Sequence, residues 1–199
     1  MSEFPSERPD RGGNSVNSLR RMVTVTLVVA AVSGMVWLWL IANVSQNTTR
    51  MGELSRIATS ATALYAEGLQ MCQATRNILL DPANEKAWTN HAAASKSFGQ
   101  VRDELERDLG KWSSEASART GAISVKADFA HHLTIQQRIH LLAKQGDFDS
   151  AKRVLNSEDT PLWRKYKDEI LALRAKVTKE AGAVKAEVAG QCVWANRLA

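Results

Sequence analysis

The sequence predicts an all-α protein, a single transmembrane helix that continues into an antiparallel, up-down four-helix bundle. Three observations carry this expectation. Residues 22–42, MVTVTLVVAAVSGMVWLWLIA, make 21 positions without a charge, and about 20 helical residues cross the roughly 30 Å hydrocarbon layer of a bilayer. Downstream, apolar residues step by alternating threes and fours, the period of a helix stripe. That part also holds only Pro82 and Pro161 and is rich in Ala, Leu, Glu, Lys and Arg, which favours helix over strand.

The span reads as an uncleaved anchor. A secretory signal has an apolar region of about 7–15 residues closed by a small-x-small site. Here Trp37, Trp39, Leu40 and Ile41 occupy that end, and the two tryptophans suit the aromatic belt of an interface. Arg20 and Arg21 precede the span and the next basic residue is Arg50, so the positive-inside rule assigns residues 1–21 to a cytoplasmic tail. Residues 43–190 are then expected outside the inner membrane as one domain, with 191–199 as a C-terminal tail.

At 199 residues the chain has room for one sizeable core. Its net charge of +5 is spread among both signs without a polybasic block, which gives no reason to expect nucleic acid as a partner. The two cysteines, Cys72 and Cys192, form no disulfide framework and no C-x-x-C pair.

Taken in order, Leu54, Ile57, Ala61, Leu64, Gly68, Met71, Thr75 and Ile78 form the stripe of the first bundle helix. It is expected to continue from the span and to stop at Asp81-Pro82-Ala83-Asn84, because proline disfavours helical geometry at the preceding residue. The second stripe is Ala87, His91, Ala94, Phe98, Val101, Leu105 and Trp112, broken at Asp108, and Ser113 to Gly121 reads as the second loop. The third helix carries Val125, Phe129, Leu133, Ile139 and Leu142 and ends at Lys144-Gln145-Gly146-Asp147, with Gly146 as the left-handed residue. The fourth starts with Phe148, Ala151 and Leu155 and is interrupted at Asn156 to Thr160. It restarts with Thr160 as N-cap and Pro161 at the first helical position, continuing through Leu162, Tyr166, Leu173, Val177, Ala181, Val184 and Val188.

Helix rise checks these lengths. The 38 positions from Val44 to Asp81 climb roughly 55 Å at about 1.5 Å per residue. The same count back from Asp147 reaches Val184, so a second span is expected just after Val188, where the chain instead reads AGQCVWANRLA. On this reading the polypeptide has no output domain of its own.

The segment Gln70 to Phe98, QMCQATRNILLDPANEKAWTNHAAASKSF, resembles the four-helix-bundle sensor domain of bacterial methyl-accepting chemotaxis proteins. There a similar R-N-I-L-L-D-P-x-N run closes the first helix and an A-x-x-N segment opens the second. GDFDSAKRVL and the following TPLWRKYKDEILAL look like the family's third turn and final helix. The resemblance implies a periplasmic sensor module anchored in inner-membrane lipid. It also implies a homodimer, or a heterodimer with related receptors, formed through the first and fourth helices. A different class of reading is a single-span periplasmic scaffold or assembly protein; another is a non-signalling remnant of a truncated chemoreceptor.

For a small anionic ligand, the expected site residues are Arg76, Asn77, Arg138 and Arg153, which fall at similar heights by the same rise, with Thr160 at the break in the fourth helix adding a hydroxyl that its N-cap role also explains. Guanidinium groups pair with carboxylate or phosphate oxygens through two hydrogen bonds. Solvated or carboxylate-paired arginines account for the same pattern. Cys72 and His91 share a height on neighbouring helices, and sulfur with imidazole suits zinc, copper or haem iron. Yet His91, His131, His132 and His140 show no H-x-x-x-H or C-x-x-C-H spacing. No metal and no cofactor is therefore expected, and His91 is read as a buried neutral residue with one partner. With no Gly-rich phosphate loop, G-x-S-x-G or H-E-x-x-H, no catalytic residue and no enzyme activity is expected.

Overall fold

A computed structural model describes residues 12–112 and 116–198, with side chains from 17 to 112 and from 129 to 195. The described residues are helical apart from short turns, and the protein is all-α. The order is α1 (Gly12–Leu80), α2 (Glu85–Trp112), α3 (Ala116–Lys144), α4 (Phe148–Val154), a π-helical turn (Leu155–Asp159) and α5 (Thr160–Leu198). Asn47–Ala189 form one compact unit, and the described residues on either side of it form the other.

The smaller unit holds the apolar segment of α1. Among the described residues this is the one helix long and apolar enough to cross a membrane. Val25, Leu27, Val29, Met35, Leu38 and Ile41 are all exposed along it, a contiguous apolar surface of the kind that marks a protein or membrane interaction site.

In the larger unit the eight stripe positions of α1, from Leu54 to Ile78, are all buried. Their three-four spacing keeps them on one face. The helix ends at Leu80 as proline at 82 dictates, and Asp81 Oδ1 accepts from the Ala83 N–H at 3.1 Å to shape the turn. Asn84 Oδ1 accepts from Ala87 N and starts α2, while Trp88 Nε1 donates to the Pro82 carbonyl.

Side chains fix how the helices run. Arg50 pairs with Glu180, and Asn47 meets Glu187, whereas Gly68 faces Trp163. Rising numbers on α1 therefore meet falling numbers on α5, and the two are antiparallel. Phe98 stacks on Phe129 at 4.5 Å between centroids while His91 meets Gln136, so α2 and α3 are antiparallel as well.

Four local expectations are revised. The stretch Ser113 to Gly121 is not all loop, because α3 already begins at Ala116; Ala116, Ala118 and Arg119 are good helix formers, and one glycine does not override them. Residues 113–115 lie outside the described residues. Second, the break at Asp108 is a change of stripe position, since Leu109 is buried next to it. Third, Phe148 faces outward, and the start of α4 is capped by Asp147, whose carboxylate accepts from the Ser150 N–H.

The fourth concerns Asn156 to Thr160. Thr160 is not an N-cap, because its backbone is helical and its N–H donates to the Leu155 carbonyl five residues back. The buried positions Ala151, Leu155, Asp159 and Trp163 explain this. They step by four three times in succession, more than a helix of about 3.6 residues per turn keeps on one face. A wider turn restores the alignment and carries Asp159 inward, and it gives Pro161, which has no N–H to donate, a place to enter the helix. The end of α3 is as expected: Gly146 takes φ +79°, and Asp147 N–H reaches back to the Leu142 carbonyl.

Gly68 is the tightest point of the core. A Cβ there would overlap the six-membered ring of Trp163 and lie 3.1 Å from Phe98 Cε2. Gly→Ala inside a helix ordinarily stabilises by about 0.5–1 kcal/mol, but overpacking costs about 1–3 kcal/mol. Gly68→Ala should therefore lower the melting temperature, and Trp163→Leu in the same chain should recover part of the loss. A Gly68→Ala protein that melts higher than the parent would refute this packing.

Candidate functional site

The interior of the larger unit is not wholly apolar. On α3 the buried positions Phe129, His132, Gln136, Ile139 and Ala143 step by three, four, three and four, so this helix directs a histidine and a glutamine inward from core positions. His140, 7% exposed, lies beside them. From α1 come Cys72 and Thr75, 3% and 0% exposed; the π-helical turn contributes Asp159, 2% exposed, and α2 the half-buried His91.

These groups make one connected chain. His132 Nε2 lies 2.7 Å from Asp159 Oδ1 and 3.3 Å from Gln136 Nε2. Gln136 Oε1 lies 2.8 Å from His91 Nε2. The His91 ring meets the His140 ring edge-on at 4.5 Å, and His140 Nε2 lies 3.3 Å from Thr75 Oγ1. A polar thread thus joins the π-helical turn to α1 by way of α3 and α2. Buried polar groups are costly unless they satisfy one another, and most of these do.

Cys72 stands at one end of the thread. Its sulfur, one imidazole nitrogen of His132 and a carboxylate oxygen of Asp159 all lie within 4.8 Å of one another. Burial pushes the thiol well above its ordinary range; the Asp159 carboxylate adds to this and Arg76 offsets part of it. The sulfur is therefore protonated at neutral pH. Burial also lowers His91, with the Gln136 contact and Asp159 opposing, and it lowers His140 to about 4, helped by His91 and Lys144 and opposed by Asp159. Both rings are neutral at pH 7.

The residues expected to bind an anion are placed otherwise. Arg76, Asn77, Arg138 and Arg153 are exposed and Thr160 is half-buried. Arg138 pairs with Glu158, and Arg153 donates to Ser150 Oγ at 2.9 Å. Among the described residues no hydrogen bond or ion pair joins any two of the five. Cys72 is grouped with His132 and Asp159, while His91, the residue at matching height in the sequence, takes Gln136 as its partner. The missed signal was spacing. His132, Gln136 and His140 recur every four residues on α3, but a stripe built from apolar letters alone passes over them to Leu133 and Leu142.

No protein-family model, curated protein or solved structure matches the chain. What the site can do therefore follows from its own chemistry. Thiol, imidazole and carboxylate in a row are the components of a cysteine nucleophile with its base and orienting group. That chemistry needs a thiolate and a path for substrate, and a protonated, buried Cys72 has neither. The same three side chains also make a soft donor set.

Proposed function

We propose that the chain is a membrane-anchored extracytoplasmic sensor module of chemoreceptor type. It is an antiparallel four-helix bundle held by residues 22–42, with the N-terminus in the cytoplasm, acting as a dimer. The observation that carries this reading is on α1: one helix holds both the exposed apolar segment and Cys72 and Thr75, which reach the buried polar thread. A change at the thread would act on the helix that enters the membrane, which is what a transmembrane receptor requires. The R-N-I-L-L-D-P run at Arg76 to Pro82 supports the same class.

Small residues on α1, exposed except for the half-buried Ala63, suit the dimer. Ser55, Thr59, Thr62, Ala63 and Ala66, with Arg174 and Thr178 of α5, line a shallow open groove, so a second copy could approach closely there.

The test uses the full chain in bacterial cells. Gln145 lies in the exposed turn after α3, and Gln145→Cys, with Cys72→Ser and Cys192→Ser, should be labelled by a membrane-impermeant maleimide in intact cells. Labelling only after permeabilisation would overturn the topology. Crosslinking between cysteines placed at Thr62 in two copies should trap a dimer. A strictly monomeric chain that co-purifies with one stoichiometric unrelated protein would instead identify a scaffold.

A further inference from the structure

We propose that Cys72, His132 and Asp159 form a binding site for one divalent transition-metal ion of the zinc type. The donor set is the first reason. A thiolate, an imidazole and a carboxylate match zinc and its neighbours, whereas magnesium and calcium take oxygen ligands alone.

Geometry is the second. The three donor atoms lie within 4.8 Å of one another, and bonds of about 2.0–2.3 Å in a tetrahedral site call for donor separations of about 3.3–3.8 Å. Small rotamer changes close that gap. Three different segments supply the ligands, α1, α3 and the π-helical turn, so an ion would tie together parts of the chain far apart in sequence. The π-helical turn has a purpose on this view, since it is what brings Asp159 inward.

The third reason is how His132 is buried. His132 is 0% exposed, and its Nδ1 has no hydrogen-bond partner among the described residues. Its Nε2 lies 2.7 Å from Asp159 Oδ1, so Nε2 is the nitrogen that an ion shared with this carboxylate would take. Packing alone gives no reason to bury it so.

Binding balances simply. The ion displaces the Cys72 thiol proton and bonds to the thiolate. The imidazole keeps its single proton on the nitrogen turned away from the ion, and Asp159 enters as the carboxylate. One proton leaves for each ion bound. The site rests on these side chains and not on the sensor reading, since a scaffold could use the same ion to fix its fold.

The test uses the full chain carrying Cys192→Ser, purified in detergent and stripped with a chelator. Cys192 is exposed and Cys72 buried, so this background leaves one thiol. Titration with Co²⁺ should give a thiolate-to-cobalt charge-transfer band in the near ultraviolet and the visible bands of tetrahedral cobalt. Both should saturate at one ion per chain, with one proton released, and Zn²⁺ should displace them. Cys72→Ser should abolish the charge-transfer band. Asp159→Asn should weaken binding about 10–100-fold or more. X-ray absorption at the cobalt edge needs no further variant at the site, so it decides the matter even if Cys72→Ser does not fold. One sulfur in the first shell supports the assignment. A folded, helical protein that gives no sulfur-bound cobalt, or a band that survives Cys72→Ser, refutes it.

Discussion

Replacing His132 with alanine is expected to destabilise the metal-free protein by about 1–3 kcal/mol, the cost of leaving a buried hydrogen-bonding group without its partner. The reason lies with the residue left behind. Asp159 is 2% exposed and its Oδ1 accepts from His132 at 2.7 Å; without the imidazole the carboxylate keeps its desolvation cost and loses its principal compensation. Volume loss adds to this, because His132 is packed with no exposed surface against the Tyr166 ring, 5.6 Å away between centroids. Removing both partners should cost less than removing one. His132→Leu with Asp159→Leu should recover much of the loss, because replacing both partners of a buried hydrogen bond by apolar groups of similar shape can be nearly neutral. Thermal unfolding of the single and double variants with chelator present checks this. A double variant as unstable as His132→Ala would show that shape, not the hydrogen bond, sets the cost.

The difference between legible and hidden features follows from which property carries the signal. The α1 stripe is readable because its three-four steps run unbroken from Leu54 to Ile78, apolar but for Gly68 and Thr75, and all eight positions are buried. Pro82 and Gly146 were readable because each constrains the backbone by itself. On α3 the stripe is periodic in position but not in polarity: 129, 132, 136, 139 and 143 hold the core places, and two are polar. A reading that equates core with apolar moves aside where the interior becomes polar. The π-helical turn was half-visible. Asn156 to Thr160 was recognised as an irregularity, but Ser, Glu and Asp before a proline look like a loop, and only the fourfold steps from Ala151 to Trp163 show that the backbone stays helical. The arginines were chosen for their chemistry, and height along a helix says nothing about which side they face; four of the five anion-site candidates lie on the surface.

Acid should weaken the metal-free protein as the pH falls from about 6.5 toward 4. His140 has an ordinary value near 6.5 when unfolded and about 4 in the folded protein, chiefly because it is buried. Between those values the unfolded chain binds a proton that the native chain refuses, so stability is complete above about pH 6.5 and is lost as the pH falls toward 4. At about 1.36 kcal/mol for each unit of difference the loss reaches roughly 3 kcal/mol across the window. His91 is lowered in the same direction and adds to it. The groups facing His140 fix the sign: His91 at 4.5 Å and Lys144 one turn on disfavour its charge, while Asp159 alone favours it. Asp147 works the other way. Its carboxylate is lowered by accepting hydrogen bonds from Ser150, so its contribution is present above its ordinary value of about 3.8 and is lost only below the histidine window. Melting temperatures of the chelated full chain between pH 7 and 4.5 should fall steeply, and His140→Gln, which keeps a hydrogen-bonding group near Thr75, should flatten the slope. A slope unchanged in His140→Gln combined with His91→Gln would place the acid sensitivity elsewhere. If an ion occupies Cys72, His132 and Asp159, the same acid range acts through a second route, because protons compete with the metal for the thiolate. Comparing the chelated and zinc-loaded chains over this range separates the two, since only the zinc-loaded chain should release its ion as the pH falls.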